Sequence, residues 1–177
     1  MLRKVFKSLI GMCFVGMLAL PAAAGEKAPV KAGFAAAGTV TCYDTSRQEN
    51  EAAVKATNLT RSQHGLQPLR ANDELALAAA RHACDMARRG VMSHQGSTTR
   101  GPMQRVKKVG YKPVMTAENI AFGPWGQDRV LMEWARSQGH LKNILIPKMR
   151  HYGIGKAVSA DGRMVYWAAV YGAPKGR

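Results

Sequence analysis

Apolar positions in this chain first run together, then recur at helical spacing, and finally fall into short strand-like runs. The opening run, Leu9 to Leu20, carries no charge and follows the basic residues Arg3, Lys4 and Lys7. It is too short to span a bilayer comfortably. Pro21-Ala22-Ala23-Ala24 then supplies the small side chains of a cleavage site, so residues 1–24 read as a secretory signal peptide cut before Gly25. Residues 25–45, rich in Ala, Gly and Lys as far as Thr41 and without periodicity, read as a flexible lead-in to one domain over 46–177.

Within that domain, Ser46 and Glu49 stand in the capping-box arrangement and open a helix over about 47–63, stopped by His64-Gly65. Asn72 or Asp73 caps a second helix, in which Leu75, Ala79, His82 and Met86 share one face and Gly90 marks the end. A short helix fits Gly101–Val109. Ala117–Phe122 is apolar enough for a buried strand, and Gln127–Ser137 reads as a helix turning Val130, Leu131 and Trp134 inward. Tyr152–Ala160 and Met164–Tyr171 are strand-like runs joined through Asp161-Gly162, a strong hairpin signal. Helices first, one strand between, and an antiparallel hairpin last predict an α+β domain with helices packed on a sheet.

Length and charge narrow the picture. The 177 residues less the 24 of the leader leave 153, enough for a single core, and no second apolar run of membrane length follows. The formal charge of +15 falls to +12 once the three leader cations are removed. That favours anionic partners such as an envelope component or lipid head groups; a basic surface that merely aids solubility is the competing reading. Nucleic acid is disfavoured, because an exported protein meets little of it and aromatics do not interleave with the basic residues. Cys13 leaves with the leader. Cys42 and Cys84 then either form a disulfide closing a loop of about 40 residues, worth about 3–4 kcal/mol, or Cys84 stays a small apolar core residue.

Candidate chemistry gathers in three segments: Ser93-His94-Gln95-Gly96, Ala117-Glu118-Asn119-Ile120-Ala121 and Trp134-Ala135-Arg136-Ser137-Gln138-Gly139-His140. Two histidines and a carboxylate on separate elements are raw material for a zinc site. Glu118 lies inside an apolar strand and needs a partner if buried. His82 falls on the apolar face of the second helix and reads as core or as support for a site.

The ordered set Asn58, Arg61, Gly65, Pro68-Leu69, Ala83–Ala87, Ser93-His94, Gly96, Gly110-Tyr111, Glu118-Asn119-Ile120-Ala121, Trp134, Ser137, Gly139-His140, Asn143-Ile144-Leu145, Gly153-Ile154-Gly155, Tyr166-Trp167 and Gly172 resembles the CAP superfamily (cysteine-rich secretory proteins, antigen five and pathogenesis-related one; the SCP domain) in its bacterial form. The resemblance implies a three-layer α–β–α sandwich with a small, mainly antiparallel central sheet. It also implies a cleft lined by two histidines and two acids able to bind a divalent cation, zinc being preferred. His94, Glu118 and His140 match three of those four positions. The fourth acid is replaced by Ser137, and Glu133, one helical turn earlier, faces the same way.

Two functions follow. The first is an exported, secreted or periplasmic monomer that binds an envelope component, lipid or protein ligand in its cleft without catalysis. The alternative is a metal-dependent hydrolase acting on peptide or cell-wall material. No independent nucleophile is evident in the matched motifs, which tilts the reading away from an enzyme.

Overall fold

The computed structural model describes residues 30–31 and 39–176. The expected signal peptide and most of the expected lead-in lie outside the described residues. In chain order the elements are β1 (Val30–Lys31), β2 (Thr41–Cys42), α1 (Arg47–Gln63), β3 (Arg70–Ala71), α2 (Asp73–Arg89) and β4 (Val91–Met92). There follow α3 (Pro102–Lys108), β5 (Pro113–Gly123), α4 (Gln127–Arg136), α5 (Gln138–Ile144), β6 (His151–Val158) and β7 (Val165–Pro174).

Local chemistry sets the helix ends. Ser46 Oγ accepts from the Glu49 amide at 3.1 Å, and Glu49 Oε2 accepts from the Ser46 amide at 2.9 Å, so both halves of the capping box close. Asn72 Oδ1 accepts from the Leu75 amide at 2.9 Å and opens α2. Gly90 closes α2 at φ 62°, a left-handed conformation that glycine adopts without steric cost. Ser137 is extended (φ −85°, ψ 118°) and separates α4 from α5, so the helix expected to run through Ser137 ends at Arg136.

The main sheet runs β2-β6-β7-β5, all antiparallel, with β3 added parallel beside β6. The expected hairpin is present, with Val158 opposite Val165 and Gly162 at φ 71° in the turn. Alternation along each strand sends side chains to two cores. Ile120, Ala157, Tyr166, Ala168 and Val170 meet α2 and α3 on one face. Ala121, Tyr152, Ile154, Trp167, Ala169 and Tyr171 meet α1, α4 and α5 on the other. Helices thus cover both faces of a small antiparallel sheet, the α–β–α sandwich expected from sequence.

One segment differs. Residues 41–45, read as part of a flexible lead-in, belong to the fold. Thr41 pairs with Val158 and Cys42 with Ala157, Thr45 Oγ1 donates to the Ile154 carbonyl at 2.7 Å, and Cys42 is bonded to Cys84 on α2 with Cα atoms 5.2 Å apart. A two-residue strand with no periodicity leaves no pattern in sequence; pairing and the crosslink supply its order.

The α2–β6 contact is unusually close. An added Cβ at Gly153 would overlap the backbone of Leu75 and Ala76, and one at Gly155 would overlap that of Ala79 and Ala80. The alanine-rich face of α2 therefore lies directly on the strand. We predict that Gly155→Ala lowers stability by about 2 kcal/mol or more, because α2 must move away. Urea unfolding checks this; a loss below about 0.5 kcal/mol would contradict the packing described.

Candidate functional site

β5 is an edge strand, and its two faces do different work. Glu118 shares the parity of Ile120 and points toward α2 and α3, where it is only 4% exposed. Arg105 of α3 donates from Nη2 to Glu118 Oε2 at 2.5 Å, and His94 Nδ1 lies 2.8 Å from Oε1. His82 of α2 brings Nε2 to 3.7 Å from Oε1, too far for a hydrogen bond.

Arg105 does more than neutralise the carboxylate. Its Nη1 donates to the His94 carbonyl at 3.0 Å and to Thr99 Oγ1 at 3.1 Å, so one buried guanidinium fixes both Glu118 and the loop carrying His94. The loop has further anchors on α2: the Ser97 amide donates to Asp85 Oδ2 at 3.0 Å, and Arg89 Nη2 donates to the Gln95 carbonyl at 2.9 Å. At Gly96 a Cβ would come within 2.7 Å of Thr99 Oγ1, which accounts for glycine there.

Burial pushes the Glu118 carboxyl up, but the His94 hydrogen bond and the charges of His82 and Arg105 outweigh it and hold the group below the ordinary carboxylate range. His82 is neutral near pH 7, because burial drives its imidazole down to about 4 against the attraction of Glu118. At that pH the stabilising charge is therefore that of Arg105. The Ser93 backbone weakly favours the protonated His82 ring, yet neither ring nitrogen has a partner in hydrogen-bonding geometry. An ionised carboxylate only accepts, so His94 carries its proton on Nδ1. That leaves Nε2 as the nitrogen turned away from Glu118, on a side chain 58% exposed.

Across the strand, side chains cap the backbone groups that no neighbouring strand covers. Asn143 Nδ2 donates to the Glu118 carbonyl at 3.0 Å and to Asn119 Oδ1 at 2.8 Å. Asn119 Nδ2 donates to the His140 carbonyl at 3.2 Å, and Trp134 Nε1 to the Ile120 carbonyl at 3.4 Å. His140 is thereby tied to β5 through its backbone, while its ring Nδ1 lies 2.9 Å from Ser137 Oγ and its ring centroid 6.4 Å from that of Trp134. Glu133, half-buried on α4, is engaged by Arg129 at 2.7 Å.

The structure therefore joins His94 to Glu118 directly and attaches the His140 segment to the same strand from the other side. Both Glu118 oxygens are engaged, one by a guanidinium. Among the described residues no group of three or more His, Cys, Asp or Glu side chains is placed to hold a metal. Sequence reasoning overlooked Arg105, although a carboxylate inside an apolar strand calls for a buried cation. Arg105 also adjoins Val106, the fully buried residue of α3.

A sequence profile of the cysteine-rich secretory protein family (CAP) matches residues 54–171. The uncharacterized protein YkwD of Bacillus subtilis (strain 168) is 34% identical over 108 residues, 61% of this chain and 42% of YkwD, so the chain spans less than half of that relative. Among solved structures, an outer surface protein from Borrelia burgdorferi superposes with a TM-score of 0.64 at 22% identity, covering 78% of this chain and 99% of the Borrelia protein. An extracellular protein containing a SCP domain from Bacillus anthracis gives 0.60 at 25% identity, covering 71% of this chain and 42% of that one.

Two measurements probe the cluster. Arg105→Met leaves a buried carboxylate without its cation and should cost about 3–5 kcal/mol. Adding Glu118→Gln should recover part of that loss, so a urea double-mutant cycle with strictly additive losses would show the pair to be uncoupled. His82 binds a proton more weakly folded than unfolded. Its contribution to stability is thus complete above pH 6.5 and lost as pH falls toward 4, a difference of about 3 kcal/mol. His82→Leu should flatten the stability profile across that window; an unchanged slope would refute the assignment.

Proposed function

We propose that this chain, which belongs to the cysteine-rich secretory protein (CAP) family, acts as an exported binding module with no turnover of its own, using the side-chain-capped edge of β5 and the exposed His94 as its cleft. The commitment of Glu118 carries this reading. A carboxylate only 4% exposed and engaged on both oxygens by His94 and Arg105 is shielded from a substrate, so its role is to orient His94 and keep Nε2 outward as an acceptor. The hydroxyls nearby are also committed: Ser93 Oγ accepts from the Gln95 amide at 3.1 Å, and Ser137 Oγ meets His140.

Export is supported by the leader read in the sequence and by the extracellular and outer-surface descriptions of two structural relatives. Among the described residues no helix is long and apolar enough to cross a membrane. The ligand class favoured by the net charge of +12 left after the leader is an anionic envelope component, ahead of a neutral lipid or a protein. The second reading is metal-dependent hydrolysis, favoured by the imidazole–carboxylate pair of His94 and Glu118, a unit that elsewhere orients metal ligands and general bases. It ranks second because a cation already occupies Glu118.

The test combines zinc calorimetry near neutral pH, turnover assays on peptide and cell-wall material with and without zinc, and co-sedimentation with isolated envelope fragments. The expected result is no saturable zinc uptake, no turnover, and co-sedimentation weakened at least threefold by His94→Ala. Turnover abolished by chelation and by Glu118→Gln would replace this reading with the hydrolytic one.

A further inference from the structure

A hollow of about 340 Å³ opens between α2 and α3, on the helical side of the Glu118 cluster. Arg81, Arg88 and Lys108 line it with exposed side chains, and His82 and Arg105 reach it from below. The charge balance there is one-sided. Arg105 is spent on Glu118, and the acid in the wall, Asp85, is held by Arg89 at 3.1 Å and by the Ser97 amide. Among the described residues no carboxylate pairs with Arg81, Arg88 or Lys108.

The base of the hollow is also short of partners. Both ring nitrogens of His82 and Nε of Arg105 are buried without a hydrogen-bond partner. Buried polar groups left in that state call for an explanation, and an ion or water that completes the site is one. Arg81 and Arg88 are seven residues apart on α2, about 10 Å along the helix, with Asp85 between them. Lys108 faces them from α3, where its Nζ donates to the Thr98 carbonyl at 3.2 Å and so stands at the loop wall. Three uncompensated cations, two of them guanidinium forks, match a phosphate group better than a single carboxylate.

We infer that the α2–α3 hollow is a phosphate-binding site, formed by Arg81, Arg88 and Lys108 and separate from the His94 cleft. It takes a phosphate mono- or diester, whether free in solution or carried on a lipid head group. The inference stands whether the His94 cleft binds or hydrolyses, because none of its three cations contacts His94 or Glu118.

The test is an NMR titration of the 15N-labelled protein with inorganic phosphate and with glycerol phosphate, alongside co-sedimentation with phosphatidylglycerol and phosphatidylcholine vesicles. Saturable shifts are expected at the amides of Arg81–Arg88 and Ser97–Thr99, with affinity reduced at least tenfold in Arg81→Glu/Lys108→Glu. Both of those positions are exposed, so the fold should be kept, and thermal unfolding verifies that. Arg136→Glu/Lys148→Glu makes the same charge change elsewhere and should lose less than threefold. Phosphate shifts without vesicle binding assign a small-molecule site; phosphatidylglycerol binding lost in the first variant assigns the head group. Absence of saturable shifts, or equal weakening by both double variants, would show that only net charge is at work and overturn the inference.

Discussion

Burying the Glu118 carboxylate is the constraint from which the site follows. A charged carboxyl in an apolar strand is costly unless a cation and hydrogen bonds come with it. Arg105 meets that demand from α3 and extends the same guanidinium to the His94 carbonyl and to Thr99. One side chain thus contributes to the ionisation of Glu118 and to the path of the 93–101 loop, and through Glu118 to the tautomer of His94. The exposed imidazole is positioned by a buried network, which is how a loop residue gains the precision of the scaffold beneath it.

The other face of β5 shows the same economy. An edge strand leaves backbone groups open to pairing with foreign strands. Here Asn143 and Trp134 cover the Glu118 and Ile120 carbonyls, and Asn119 draws in the His140 backbone. The asparagines therefore tie α5 to the edge of the sheet. His94 and His140 come to one strand by different means, the first through a side-chain carboxylate and the second through its main chain.

Much of the fold was legible because its signals are local. The Ser46–Glu49 capping box, the Gly90 cap, the Asp161-Gly162 turn and the strand-like runs of β6 and β7 each depend on neighbours in sequence. The order of helices and hairpin then left few architectures. The short strands β1 to β4 carried no pattern, since two residues have no period, and the break at Ser137 came from a backbone angle that serine does not dictate. Of the site, the pairing of His94 with Glu118 was anticipated through the family motifs. Arg105 was not, because its importance lies in a contact across 13 positions, and arginine on a short basic helix looks like a solvated residue. The expectation of a divalent cation rested on ligand types and on the family resemblance; geometry adds that a guanidinium already stands at Glu118.

The central claim, that Arg105 and His94 keep a buried Glu118 ionised and thereby fix His94, is tested most directly by NMR of the wild-type protein. The side-chain carboxyl carbon of Glu118 and the imidazole nitrogens of His94 are followed against pH. The account predicts that Glu118 titrates below an ordinary glutamate and that neutral His94 carries its proton on Nδ1. A Glu118 carboxyl titrating at or above the usual glutamate range, or a His94 protonated at Nε2 when neutral, would contradict it.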